Sequence, residues 1–400
     1  MTIDADVARF APRSGESWRD PFPMYADLRD HDPVHWVESG DYWVLSRFDD
    51  VFAAARDHGR FSSAQGLTFS YDDMAFAGLE EARPIVMMDP PQHTDFRRLV
   101  ARAFTPRSVA DLEPEVREFV VSRLDALGRA GGGDVAASVW KPLPSMVVAH
   151  YLGVPESDRT QFDGWTESIV AATAAGDVLG APEAVADLFG YFTSLVDYRR
   201  RSGDFGTDTV SALLSDGASA VDTLGVLGFA FTMVTGGNDT TTGLLGGSCE
   251  LLTADRRQRS LLLDDPSLIP GAVEELLRLT SPVQGLARTT TEDISLHGRT
   301  IPAGRRVLLL FGSGNRDERK FGADAAALDV RRDPKPILTF GYGAHHCLGA
   351  AVARLQARVA LEELLSRFPD FEVDFETGQF APGHFVRRYL HLPFTPGRRP

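Results

Sequence analysis

Apolar residues recur at three- and four-residue intervals along most of the chain, the period that gathers them on one face of a helix. The pattern predicts helices over "PFPMYADLRDH", "RSVADLEPEVREFVVSRLDALGR", "PEAVADLFGYFTSLVDYRRR", "DTLGVLGFAFTMVTGGNDTTTGLLGGSCELL", "IPGAVEELLRLT" and "AAVARLQARVALEELLSRF". In the second of these, Ser108 is the expected N-cap, and Gly128 with the following "AGGGD" is the expected stop. Alternation marks two β regions. "PVHWVESGDYWVLSR" reads as a hairpin turning at Ser39-Gly40-Asp41, and "EDISLHGRTIPAGRRVLLLF" as a second β stretch. No internal repeat and no long Gly, Ser or Pro linker interrupts the 400 residues. One mainly α domain with small β-sheets, spanning 1–400, is the expected organisation.

Composition narrows the function. The formal charge of −15 argues against nucleic acid as a partner, since phosphate binding needs a basic surface. Cys249 and Cys347 are the only cysteines and form no CxxC pair, so a disulfide framework and a structural zinc site are both disfavoured. The first 25 residues carry acids and prolines where a secretory signal needs a basic end and an apolar stretch. No segment approaches the roughly 20 apolar residues of a membrane span. A cytoplasmic protein in a reducing compartment, without membrane contact, is expected.

Chemistry concentrates in "FGYGAHHCLG", residues 340–349. Gly341 and Gly343 give turn freedom ahead of Cys347, and Gly349 permits a close approach behind it. A helix beginning after Cys347 would aim its N–H groups at the sulfur and lower the thiol pKa. A nucleophile, a metal ligand or a buried structural thiol all remain open on these residues alone. In "TGGNDTTTG", residues 235–243, two glycines in a helix cost about 1 kcal/mol each relative to alanine, which suggests a local widening beside a ligand. Glu275 and Arg278 in "EELLR", and His93 and Arg97 in "DPPQHTDFRR", share helix faces, where such pairs are ordinary.

The spacing Phe340-Gly341-x-Gly343-x-His345-x-Cys347-x-Gly349 resembles the haem-binding loop of the cytochrome P-450 superfamily. The likeness extends from "DPFPMYADLRDHDPVHW" to "FVRRYLHLPF" and is nearest to soluble, actinobacterial-type members. It implies the P-450 fold, a triangular-prism-like domain with haem between a distal (I-type) and a proximal (L-type) helix. It also implies haem b as cofactor, with Cys347 as the axial iron ligand. By the same resemblance Asp239 and Thr240 are the acid–alcohol pair that relays protons on the distal side. Gly236, standing where alanine is commoner, and Gly237 border the haem. His93, Arg97, Arg288 and His345 reach its propionates, a task that suits arginine's planar fork. Glu275, Arg278 and Arg332 form a structural charge triad. His346 receives no role.

The resemblance implies a monooxygenase that inserts one oxygen atom from O2 into a hydrophobic small molecule. Hydroxylation is the expected outcome, with dealkylation or epoxidation as alternatives. Candidate pocket residues are Phe69, Met74, Phe76, Ile169, Met233, Val234, Gly237, Leu286 and Phe385. No flavin or iron–sulfur motif is present, so electrons would come from NAD(P)H through an external ferredoxin, or a flavodoxin, and its reductase. Arg98, Arg102, Lys335, Arg354 and Arg358 are expected to form a basic docking patch on an otherwise acidic monomer. Three rival readings remain: a peroxide-driven hydroxylase, a non-catalytic haem gas sensor, and a non-haem enzyme using Cys347 as nucleophile.

Overall fold

The computed structural model describes residues 10–69, 83–174, 180–215 and 221–397. The helices that position the site are, in chain order, α1 (Phe22–His31), α2 (Phe48–Arg56), α3 (Gln92–Val100), α4 (Glu113–Arg129) and α5 (Pro142–Leu152). They continue with α6 (Arg159–Ala174), α7 (Pro182–Ser202), α8 (Thr223–Ala254), α9 (Ile269–Thr280) and α10 (Ala350–Arg367). The main sheet contains β1 (Val34–Val37), β2 (Tyr42–Leu45), β3 (Phe61–Ser62), β4 (Leu286–Thr290) and β5 (Arg306–Leu309), in the spatial order β1-β2-β5-β4-β3.

Antiparallel β1 and β2 pair Val34 with Leu45 and Trp36 with Trp43. The hairpin turns where its sequence predicts, but Asp41 rather than Gly40 takes the left-handed conformation, with φ 54°. Aspartate tolerates that region better than most residues because its short side chain can bond locally. β2 then runs parallel to β5, and β5 antiparallel to β4, which places Arg288 opposite Val307. The second β stretch divides accordingly. Ile294–Leu296 and Arg299–Ile301 form their own hairpin, while the following strand, β5, joins the main sheet.

Two helix expectations are corrected. The stretch from Arg107 is two helices, Pro106–Asp111 and α4, because Pro114 lacks the N–H that would continue the ladder. Its cap is Thr105, whose Oγ1 accepts from the Ser108 N–H at 3.2 Å; the Ser108 hydroxyl donates instead to Ala103 O at 2.7 Å. The helix ends at Arg129, directly before the "AGGGD" of the expected stop.

The glycine-rich α8 is 32 residues of unbroken α-helix, capped by Asp222 Oδ1 accepting from the Gly225 N–H at 2.8 Å. The expected local widening is therefore absent. Its N-terminal half packs Val226, Phe229, Ala230 and Val234 into a core shared with α5, α6 and α7. Its C-terminal half packs Leu244, Leu245 and Leu252 into a second core with α4, α9 and α10. Each such buried side chain contributes about 1.5–3 kcal/mol. Two cores on one helix fix its axis against both the upper helices and the cysteine-bearing end of α10.

Candidate active site

The loop before α10 is shaped by its glycines. Gly341 and Gly343 have φ of 61° and 71°, conformations that favour glycine. A Cβ on Gly343 would lie 2.9 Å from Arg56 Cα, so the loop rests directly on the end of α2. The Cys347 N–H donates to Phe340 O at 2.8 Å and closes the loop. Gly349 caps α10, and a Cβ there would meet nothing within 4 Å. The Cys347 thiol is exposed beside this open space. Burial by the surrounding protein nevertheless raises its pKa, against the Gly349 N–H and the charges of Arg97 and Arg354. The expected lowering by the helix end is present but outweighed.

Donors without acceptors converge near this sulfur. His93 is buried with no partner for Nδ1, and His345 has none for Nε2. The two rings lie 4.2 Å apart. Burial pushes His345 down to about 3, with Arg288 and His93 adding to the effect. Arg288 is 5% exposed, bonds only Ala287 O (2.8 Å), and is pushed down to about 10 by burial. Arg97 is lowered by burial and feels Cys347 as its favourable neighbour. Among the described residues no carboxylate forms an ion pair with Arg97 or Arg288. Two guanidinium groups and two imidazoles, desolvated and without a carboxylate partner among the described residues, fit the propionates of a haem whose iron would meet the Cys347 sulfur.

On α8, Gly236 faces open space, whereas a Cβ on Gly237 would lie 2.7 Å from Val148 Cγ2. The groove in α8 thus comes from the missing side chain of Gly236. Gly237 instead lets α5 approach. The Thr240 hydroxyl donates to Gly236 O at 3.0 Å. Asp239 is raised by burial, opposed by Arg388, whose Nε lies 2.7 Å from Asp239 Oδ1.

The three charges Glu275, Arg278 and Arg332 meet beneath this site. Arg278 holds Glu275 through two bonds of 2.7 Å, and Arg332 Nε lies 3.2 Å from Glu275 Oε1. Among the pocket candidates, Phe69 and Phe385 come together at 5.2 Å between ring centroids, and Phe69 stacks on Tyr42 at 4.8 Å. Leu286 and Met233 are half-buried against core residues. Ile169 and Val234 are sealed within the α6–α8 core and line no open space. Met74 and Phe76 lie outside the described residues.

The expected basic patch is largely neutralised. Arg98 pairs with Asp95 at 2.5 Å, Arg354 with Glu274 at 2.5 Å, and Arg358 with Glu113 at 2.5 Å. Lys335 and Arg354 instead border a cleft of about 350 Å³ together with Phe340, Tyr342 and His346. Sequence reasoning missed Arg388 and Glu250; the doubled arginine in "FVRRYL" was their one visible signal.

A family model described as Cytochrome P450 matches residues 255–380. Over 395 residues the chain is 59% identical to "Cytochrome P450 130" of Mycobacterium tuberculosis, covering 96% of this chain and 97% of that one. The chain is a cytochrome P450. It is also 35% identical to the "Vitamin D(3) 25-hydroxylase" of Pseudonocardia autotrophica, with 96% of each chain covered. The solved structure of cytochrome P450 CYP109E1 from Bacillus megaterium with testosterone superposes with a TM-score of 0.83 at 30% identity, covering 95% of this chain and 100% of that chain. As a P450 monooxygenase the chain has haem iron as its family cofactor. Among the described residues no helix is long and apolar enough to cross a membrane.

Proposed function

We propose that this P450 hydroxylates a hydrophobic small molecule using O2, with haem b held by Cys347 and electrons delivered by a ferredoxin, or a flavodoxin, and its reductase in the cytoplasm. The observation that carries the reading is the open Cys347 thiol together with four side chains, His93, Arg97, Arg288 and His345, that no carboxylate pairs among the described residues, two of them with a ring nitrogen left unpartnered. Bound haem supplies the reductive activation of O2 and the transfer of one oxygen atom. The chain does the rest. Its arginines and histidines hold the propionates in a desolvated setting, where each charge-assisted bond is strong. Loop N–H groups around Cys347 temper the sulfur's charge. Thr240 and Asp239 relay protons on the opposite side, which reduction of O2 consumes.

An apolar substrate is supported by the aromatic contact of Phe69 with Phe385 and by the two relatives named for, or bound to, steroid-like molecules. The test is turnover of such a substrate with NADPH, ferredoxin, reductase and O2, each omitted in turn. Product that requires all four supports the reading. Equal rates with hydrogen peroxide alone make the enzyme peroxide-driven, and binding without any product makes it a sensor.

A further inference from the structure

The chain after the pocket residue Phe385 lies against α8 and ends the isolation of Asp239. Gly243 makes this contact possible, since a Cβ there would stand 2.6 Å from Arg387 O and 3.4 Å from Arg388 Cβ. With backbone laid on helix at Gly243, Arg388 reaches one turn back along α8. Its Nε comes within 2.7 Å of Asp239 Oδ1, and the two side chains are 5% and 13% exposed. The N–H is not aligned for a good hydrogen bond, so the link is chiefly one of charge. Further along α8, Arg387 Nη2 donates to both oxygens of Glu250 at 3.2 Å, and the Tyr389 hydroxyl donates to Glu250 Oε2 at 3.0 Å. On its other side the segment is fixed by Arg387 N–H to Pro282 O, 2.8 Å, and by Gln284 N–H to Phe385 O, 2.7 Å. It is a clip that holds two carboxylates of α8, Asp239 through Arg388 and Glu250 through Arg387 and Tyr389.

Asp239 and Thr240 do not bond each other. Thr240 is occupied with Gly236 O and Asp239 with Arg388. We propose that Arg388 is a positioning residue that keeps Asp239 ionised and drawn toward the C-terminal clip, so that the acid is available to Thr240 only when this ion pair opens. The role of Asp239 as proton relay belongs to the function proposed above, and this inference rests on it. Burial alone drives a carboxyl toward its neutral form, and Arg388 is the largest opposing influence on Asp239, with Lys141 a lesser one. Because the clip also carries Phe385, the pocket wall and the restraint on the acid lie three positions apart in the chain.

The test is carboxyl infrared spectroscopy of the haem-loaded enzyme near neutral pH, each protein paired with its Asp239→Asn counterpart. The wild type is expected to show no protonated-carboxyl band that Asp239→Asn removes. Arg388→Met is expected to gain such a band, lost again in the double variant, while Arg388→Lys, which keeps the charge, gains none. No band in Arg388→Met, or the same band in Arg388→Lys, overturns the proposal. Should Arg388→Met fail to load haem, Arg388→Gln gives the same reading. The band reports the charge on Asp239 whether or not that residue delivers protons. A band gained with unchanged coupling of electrons to product overturns the relay reading alone and leaves Arg388's hold on Asp239 standing.

Discussion

Arg278 grips Glu275 through two parallel hydrogen bonds of 2.7 Å, and neither side chain reaches solvent. The same guanidinium donates to Asn315 O at 2.7 Å and Ala325 O at 2.6 Å, and so ties α9 to the segment leading toward the cysteine loop. Removing one partner of such a pair leaves an uncompensated buried charge, which costs about 3–5 kcal/mol. Glu275→Gln should therefore unfold at markedly lower denaturant and load haem poorly. Glu115→Gln, which breaks half-exposed contacts with Arg159 and His150, should cost less than about 1 kcal/mol. Equal midpoints in urea titrations of the two variants would contradict the assignment.

The adjacent glycines of α8 should respond in opposite ways to the same change. Gly236→Ala places a methyl in open space and gains up to about 1 kcal/mol of helix propensity. Gly237→Ala drives a methyl to 2.7 Å from Val148 Cγ2, an overpacking that costs about 1–3 kcal/mol. Thermal unfolding of the two proteins should bracket the wild type, and a fall in both would show that Gly236 is confined as well.

The two cysteines should be chemically distinct in haem-free protein. Cys249 is buried and pushed up to about 12, so it is a neutral thiol under all mild conditions. Cys347 is exposed. Alkylation at about pH 8 should modify one thiol in the folded chain and both in denaturant. The fast-reacting thiol should vanish in Cys347→Ser and in haem-loaded enzyme. Two fast thiols in the folded chain would place Cys249 wrongly.

Acid stability should depend on Glu113. Hydrogen bonds from Arg358, then Arg117, hold its carboxyl below the ordinary glutamate value. A depressed folded-state pKa contributes stability that is complete above the unfolded value, about 4.3, and is lost as pH falls through the folded one. Wild type should exceed Glu113→Gln by a constant margin above about pH 5, under about 1 kcal/mol because the pair is partly exposed. The margin should close below about pH 4. A margin that widens on acidification would reverse the sign.

Thr240→Ala removes a hydroxyl whose bond to Gly236 O lies within one helix turn, so folding should be unaffected. Product per NADPH consumed should drop by tenfold or more, within the range of a lost acid–base group, and peroxide should rise to match. Unchanged coupling would remove Thr240 from the proton path.

Local chemistry made much of the fold readable. The 3.6-residue period of "IPGAVEELLRLT" coincides with α9, and Asp222 announces the start of α8. Where reading failed, a neighbour in space had decided the outcome. Pro114 breaks a helix whose apolar period continues through it. Gly236 and Gly237 look alike in sequence, and only the approach of Val148 separates a groove from a packing contact. The cysteine loop was legible because positive φ and a helix start leave marks in a short window. Arg388 was not, because it meets Asp239 across 149 positions of chain, through backbone contact at Gly243. The docking arginines were visible as residues; Arg98 meets Asp95 within its own helix, but Glu274 and Glu113, which meet Arg354 and Arg358, come from other helices.

The central claim is that Cys347 ligates haem iron as a thiolate. Haem-loaded protein, reduced and exposed to carbon monoxide, tests it in one spectrum. The account predicts a red-shifted, thiolate-type Soret band in the wild type and its absence in Cys347→Ser. A haem-loaded wild type whose carbonyl spectrum is of the histidine type, or is unchanged by Cys347→Ser, would contradict it.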